Sequence, residues 1–146
     1  MAKKHRYVPY SWEHDKSIGK PQFYSVYKSM MDSTAWKELT YRQMVLYLYM
    51  KTQVKPNDSR GEFSFNQGIY KNSLNLYTNT TSFCKDKDAL IEKGFIDCLD
   101  GGSVTKTKAV YRMSDRWVKY GTEQYECPTS VMSDSMVKKL NRQKAI

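Results

Sequence analysis

The chain has 146 residues, 24 of them Lys or Arg and 15 Asp or Glu, for a net charge of +9, with 40% hydrophobic and 14% aromatic residues. A chain of this size buries roughly 68–70% of its unfolded surface, enough for one core and too little for two full-sized domains. The 12 Tyr and 8 Met exclude wholesale disorder or a low-complexity fibre, and the longest apolar run, Met44 to Met50, falls well short of the ~20 residues of a membrane span.

Residues 1–22 mix basic, aromatic and turn-forming types without a stable period and read as an arm with no core of its own. No apolar run follows the opening basic residues, so a secretory signal is not expected. Cys84, Cys98 and Cys127 are odd in number and form no CxxC pair, which suits reduced thiols in the cytoplasm. From Phe23 to Met31 the apolar residues take near-helical spacing, and Asp32 or Ser33 offers an N-cap for a short turn carrying Trp36 and Leu39. Thr40 followed by Gln43 is the capping-box pattern, which predicts a helix over Tyr41 to Gln53, buried on most of its circumference.

Residues 55–61 are a loop by their Pro, Asn, Asp and Gly content. Glu62 to Phe65 alternates like a very short strand, and Asn66 caps a short helix through about Ser73. Asn79 or Thr80 caps a stronger helix that ends at Gly94, where a left-handed C′ residue fits. Phe95 to Leu99 reads as a strand, Asp100 to Ser103 as a turn, and Ala109 to Met113 as the returning strand of a hairpin. The tail from residue 122 contains a candidate helix over 130–144, with Val131, Met132, Met136, Val137 and Leu140 at mixed helical spacing.

Charge is uneven along the chain. Residues 1–31 carry +4, 32–60 carry +2, 61–99 carry −1, 100–121 carry +3 and 122–146 carry +1. A neutral middle between basic flanks points to a polyanion held by the flanks. Groups suited to catalysis are sparse. His5 and His14 lie in the arm, HExxH, GxSxG, P-loop and GxGxxG patterns are missing, and Cys84 beside Phe83 reads as a buried thiol. Neither an enzyme nor a metal or cofactor site is expected. Trp36, Trp117, Tyr47 and Tyr111 are expected to anchor the core.

Three segments carry a resemblance: Asp32 to Thr40 with the helix after it, Phe63 to Phe65, and Thr81 to Phe83 through Leu90 to Ile96 and on to Val110 to Trp117. Over residues 23–121 the chain resembles the small winged helix-turn-helix proteins and replication-initiator N-terminal domains of plasmids, phages and other mobile elements of Gram-positive bacteria. The resemblance implies an α+β, mainly α fold, a three-helix core with a C-terminal β-hairpin wing, between an arm (1–22) and a tail (122–146). It also implies a double-stranded DNA partner and a role in transcriptional regulation or replication initiation.

In such a fold the third helix enters the major groove and the wing reaches a neighbouring groove or the backbone. A helical wheel of 79–93 turns Phe83, Leu90 and Ile91 to one face, with Cys84 at its margin. Thr81, Ser82, Lys85, Asp88 and Ala89 face away, and Lys87 projects towards the buried face. Asn79, Thr80, Thr81, Ser82 and Lys85 then either contact DNA or serve as caps and solvated surface. The charges of this helix cancel, Lys85, Lys87 and Lys93 against Asp86, Asp88 and Glu92. The grip on phosphates therefore falls to Lys106, Lys108, Arg112, Arg116 and Lys119 in and after the wing, unless Arg112 and Arg116 pair with Asp97 or Asp115 instead. Lys3, Lys4 and Arg6, interleaved with aromatics, suit a minor groove or stacked single-stranded bases; the alternative is a soluble terminus. The tail offers a contact for a second subunit or another protein. The alternative function is a protein-interaction winged helix without sequence-specific DNA binding.

Overall fold

Ser33, Thr40 and Asn79, each placed just ahead of a helix, decide where three of the helices begin. The computed structural model describes residues 24–55, 58–100, 108–126 and Arg142. After the single turn α1 (Lys28–Met31), Ser33 accepts from the Trp36 amide at 3.2 Å and starts α2 (Thr34–Lys37). Thr40 Oγ1 accepts from the Gln43 amide while Gln43 Oε1 accepts from the Thr40 amide, so the predicted capping box opens α3 (Tyr41–Thr52). One face of α3 is buried, through Gln43, Leu46, Tyr47 and Met50, whereas Tyr41, Val45, Leu48 and Tyr49 are exposed. This corrects the expectation of burial around most of the circumference: among the described residues, the core closes on α3 from one side.

Strand β1 (Glu62–Ser64) follows the loop, and Asn66 Oδ1 accepts from the Ile69 amide at 3.3 Å. The short helix expected here, Gly68–Ser73, is a π-helical turn, with the Leu74 amide donating to the Ile69 carbonyl five residues back. Its Tyr70 stacks on Phe83 at 3.9 Å between ring centroids. Asn79 then caps α4 (Thr80–Glu92), its Oδ1 accepting from the Ser82 amide at 2.8 Å. At the other end Gly94 adopts φ +84°, the Gly94 amide donates to the Ile91 carbonyl and the Phe95 amide to the Leu90 carbonyl, which is the full Schellman arrangement. A Cβ at Gly94 would lie 2.6 Å from the Trp117 amide nitrogen, so both conformation and space demand glycine there.

Strands β2 (Ile96–Asp100) and β3 (Val110–Met113) form the predicted antiparallel hairpin, with Cys98 opposite Tyr111 and an irregularity between Cys98 and Asp100. β1 pairs antiparallel with the far edge of β3, Phe63 opposite Tyr111, giving the sheet order β1-β3-β2. The protein is α+β and mainly helical. Its order of α3, β1, π-turn, α4, β2 and β3 is compatible with a winged helix-turn-helix. The expected arm 1–22, most of the turn after Asp100 (residues 101–107) and the expected tail helix 130–144, apart from Arg142, lie outside the described residues. No helix among the described residues is long and apolar enough to cross a membrane.

Aromatic rings dominate the core. Trp36, Tyr47 and Phe95 meet edge-on at 5.4–5.8 Å, and Trp117, partly buried, stacks on Phe95 at 6.2 Å. Phe65, Tyr70, Tyr77 and Phe83 form a second group under α4.

Burial pushes the Tyr47 phenol up to about 12. It also raises Tyr77, where Asp86 adds to the shift, and Tyr111. Unfolded phenols titrate near 10. Above that pH the unfolded chain sheds protons that the native chain keeps, so stability is fully present below about pH 10 and falls as pH rises. The shift at Tyr47 alone corresponds to roughly 2–3 kcal/mol lost by about pH 12. Thermal midpoints are expected to hold between about pH 7 and 9 and to drop between about pH 10 and 12. Unchanged midpoints across the upper range would rule this linkage out.

Candidate nucleic-acid interface

The first turn of α4 presents a polar, uncharged surface. Thr80, Thr81 and Asn79 are exposed, Ser82 is half-buried, and Lys85 is exposed one turn on. The Asn79 side chain is spent on the cap, and Tyr70 Oη donates to Thr80 Oγ1 at 3.5 Å. Lys85 is the exposed cation of α4, because Lys87 turns inward and is 5% exposed, beside Asp88 at 3.5 Å and within 6.0 Å of the Phe83 ring centre. Lys93 is half-buried against Glu38 and Tyr120. The inward projection of Lys87 read from the wheel is thus what the fold contains.

On the wing, Lys108 is exposed, and Arg112 is exposed with Asp97 at 3.4 Å. A surface pair of this kind contributes at most about 1 kcal/mol and leaves Arg112 able to exchange partners.

Arg116 is different. Its Nε donates to Asp97 Oδ1 at 2.8 Å, one terminal nitrogen to Tyr125 Oη and the Glu126 carbonyl at 3.2 and 3.0 Å, and the other to the Ile91 and Ile96 carbonyls at 3.0 and 3.2 Å. All five guanidinium donors are therefore occupied within the protein. The Asp97 pairing foreseen as the alternative is the one that forms. Arg116 thus ties the end of α4, the start of β2 and the segment after the hairpin into one unit. Lys106, Lys3, Lys4 and Arg6 lie outside the described residues.

No family model and no curated protein matches the chain. A solved structure described as "Structure of Rep-DNA complex" is similar to it, with 15% identity, coverage of 89% of this chain and 92% of that chain, and a TM-score of 0.42.

The wheel did not pair one feature of α4. Asp86 is 2% exposed and faces α3, where it accepts from Arg42 Nε at 2.5 Å, Tyr77 Oη at 2.7 Å and Gln43 Nε2 at 3.2 Å. A buried carboxylate with three donors is the form in which such a charge is tolerated. The cluster locks α4 to the first turn of α3 and to the residue run that leads into the Asn79 cap. Its signal in the sequence was an acidic residue at an inward wheel position, which requires a donor. The identity of that donor, 44 residues earlier, had no local signature.

Proposed function

We propose that this protein binds double-stranded DNA through the N-terminal face of α4 and the wing, and that it acts in transcriptional regulation or replication initiation on a bacterial mobile element, in the cytoplasm and without catalysing a reaction. The observation that carries this is the winged-helix arrangement itself, which leaves Asn79, Thr80, Thr81, Ser82 and Lys85 at the outward end of α4 while Lys108 and Arg112 project from the wing. Hydroxyls and amides at a helix N-terminus suit phosphate and base-edge contacts, and exposed Lys and Arg supply the attraction that α4 lacks.

With Arg116 committed to the fold, Lys106, Lys108, Arg112 and Lys119 remain as the phosphate contacts in and after the wing, and by themselves contribute a salt slope of about −3.6, a weakening of about 150-fold between 50 and 200 mM salt. The decisive experiment selects bound sequences from random duplex DNA with the full chain and titrates salt on the winner. An enriched motif with a slope at least that steep supports the reading. The competing reading, a winged helix that binds another protein, draws on the cancelling charges of α4, and no enrichment at low salt would favour it.

A further inference from the structure

α3 contributes a cation that none of the expected contacts included. Arg42 lies in the first turn of α3, its side chain 51% exposed, and it meets a carboxylate that is 3% exposed. The contact to Asp86 is made by Nε, and the guanidinium stands 5.3 Å from the centre of the Tyr77 ring. The hydrogen bond that Asp86 accepts, followed by its charge, raises the Arg42 pKa further above its already high value. The fork is thus held at its inner edge while half of the side chain faces solvent.

Its position on α4 follows from the helical period. At 100° per residue Asp86 lies between the inward Phe83 and Leu90 and the half-buried Ser82 and Ala89, so Arg42 borders the outward face of α4 on the Ser82 and Ala89 side. Tyr77, which supports it, stands two residues before the Asn79 cap. By the same period Asp88 lies on the opposite flank of α4.

We propose that Arg42 is a preorganised phosphate-binding residue: it clamps a DNA backbone phosphate on the Ser82 and Ala89 flank of α4, adding to the grip of the wing. This rests on the double-stranded DNA reading above. A guanidinium already fixed by a buried carboxylate and a ring loses little freedom on meeting a phosphate, and its planar fork matches phosphate oxygens. A backbone contact adds affinity on any sequence and carries none of the base readout.

The test compares the wild-type full chain with Arg42→Gln/Asp86→Asn, which removes the fork, leaves the net charge unchanged and avoids stranding a buried carboxylate. Both are titrated with the selected duplex and with a scrambled duplex over 50–300 mM salt, and thermal midpoints confirm folding. The double variant is expected to bind both duplexes about tenfold more weakly, with the salt slope reduced by about 0.9. Affinity and slope equal to wild type would overturn the phosphate role and leave the DNA reading standing. No binding by the wild-type chain to either duplex would remove the DNA reading and this role with it. If the double variant does not fold, Arg42→Lys, which keeps the charge and gives up the fork, is expected to bind both duplexes several-fold more weakly, and wild-type affinity in that variant would overturn the proposal.

Discussion

Arg116→Met is expected to lower the folding free energy by about 3 kcal/mol, a large share of the roughly 5–15 kcal/mol that holds a domain together. The substitution keeps most of the aliphatic stem and removes five donors at once. Asp97 is left without its closest partner, since Arg112 stands at 3.4 Å against 2.6 Å for Arg116; the Ile96 and Glu126 carbonyls lose this donor, and the Ile91 carbonyl keeps only the Gly94 amide. Orphaned acceptors, together with the lost ion pair, account for the magnitude. Arg112→Met, which breaks an exposed pair, is expected to cost less than about 1 kcal/mol. Urea denaturation of the two variants side by side checks the contrast, and equal midpoints would refute it. Among molecules that remain folded, Arg116→Met is expected to keep the wild-type salt slope for DNA. A slope reduced by about 0.9 would return Arg116 to the phosphate contacts.

Lys106→Glu combined with Lys108→Glu is expected to weaken DNA binding at least about 60-fold at 0.1 M salt and to reduce the salt slope by about 1.8, the contribution of two phosphate contacts. Reversal of charge adds repulsion beyond that loss. Lys108 is exposed at the foot of β3 and Lys106 lies outside the described residues. Surface substitutions of this kind change stability by no more than about 0.5 kcal/mol, so the thermal midpoint is expected to stay in place. Fluorescence anisotropy with the selected duplex measures the affinity, and an undiminished value would remove the wing from the interface. Arg42→Gln/Asp86→Asn acts at the α3–α4 contact and shares no partner with the wing lysines, so its effect is expected to add to that of the wing variant.

Much of the fold was legible because it is governed by residues close together in the chain. Thr40 and Gln43 close a capping box three positions apart. Asn79 caps α4 through an amide three positions on, and Gly94 takes the one conformation that ends it. The hairpin strands announce themselves by their alternation. Each is a local competition among backbone conformations, decided within one helical turn or one turn of chain.

Other features could not be read in this way. Periodicity made α3 apolar around its circumference, but whether Tyr41, Val45, Leu48 and Tyr49 are covered depends on how many elements pack against the helix. The pairing of β1 with β3, Phe63 opposite Tyr111, depends on a closure across more than forty residues. The π-helical spacing of Gly68–Ser73 differs from an ordinary short helix by a single hydrogen-bond step, too small a difference for composition to resolve.

Charge divides the two kinds of information most sharply. The amino-acid sequence by itself determined that the chain is basic at its flanks and neutral in its middle, and where α3 and α4 begin and α4 ends, because these are sums over residues or contests between neighbours. Only the tertiary structure decided which cations remain available. Arg112 and Arg116 stand near the same Asp97, four residues apart and alike in type, yet one stays exposed while the other is enclosed by carbonyls. Arg42 is held in place by an aspartate 44 residues away. An ion pair has no sequence period, so many pairings are equivalent until packing brings particular charges within reach and excludes the water that would otherwise screen them.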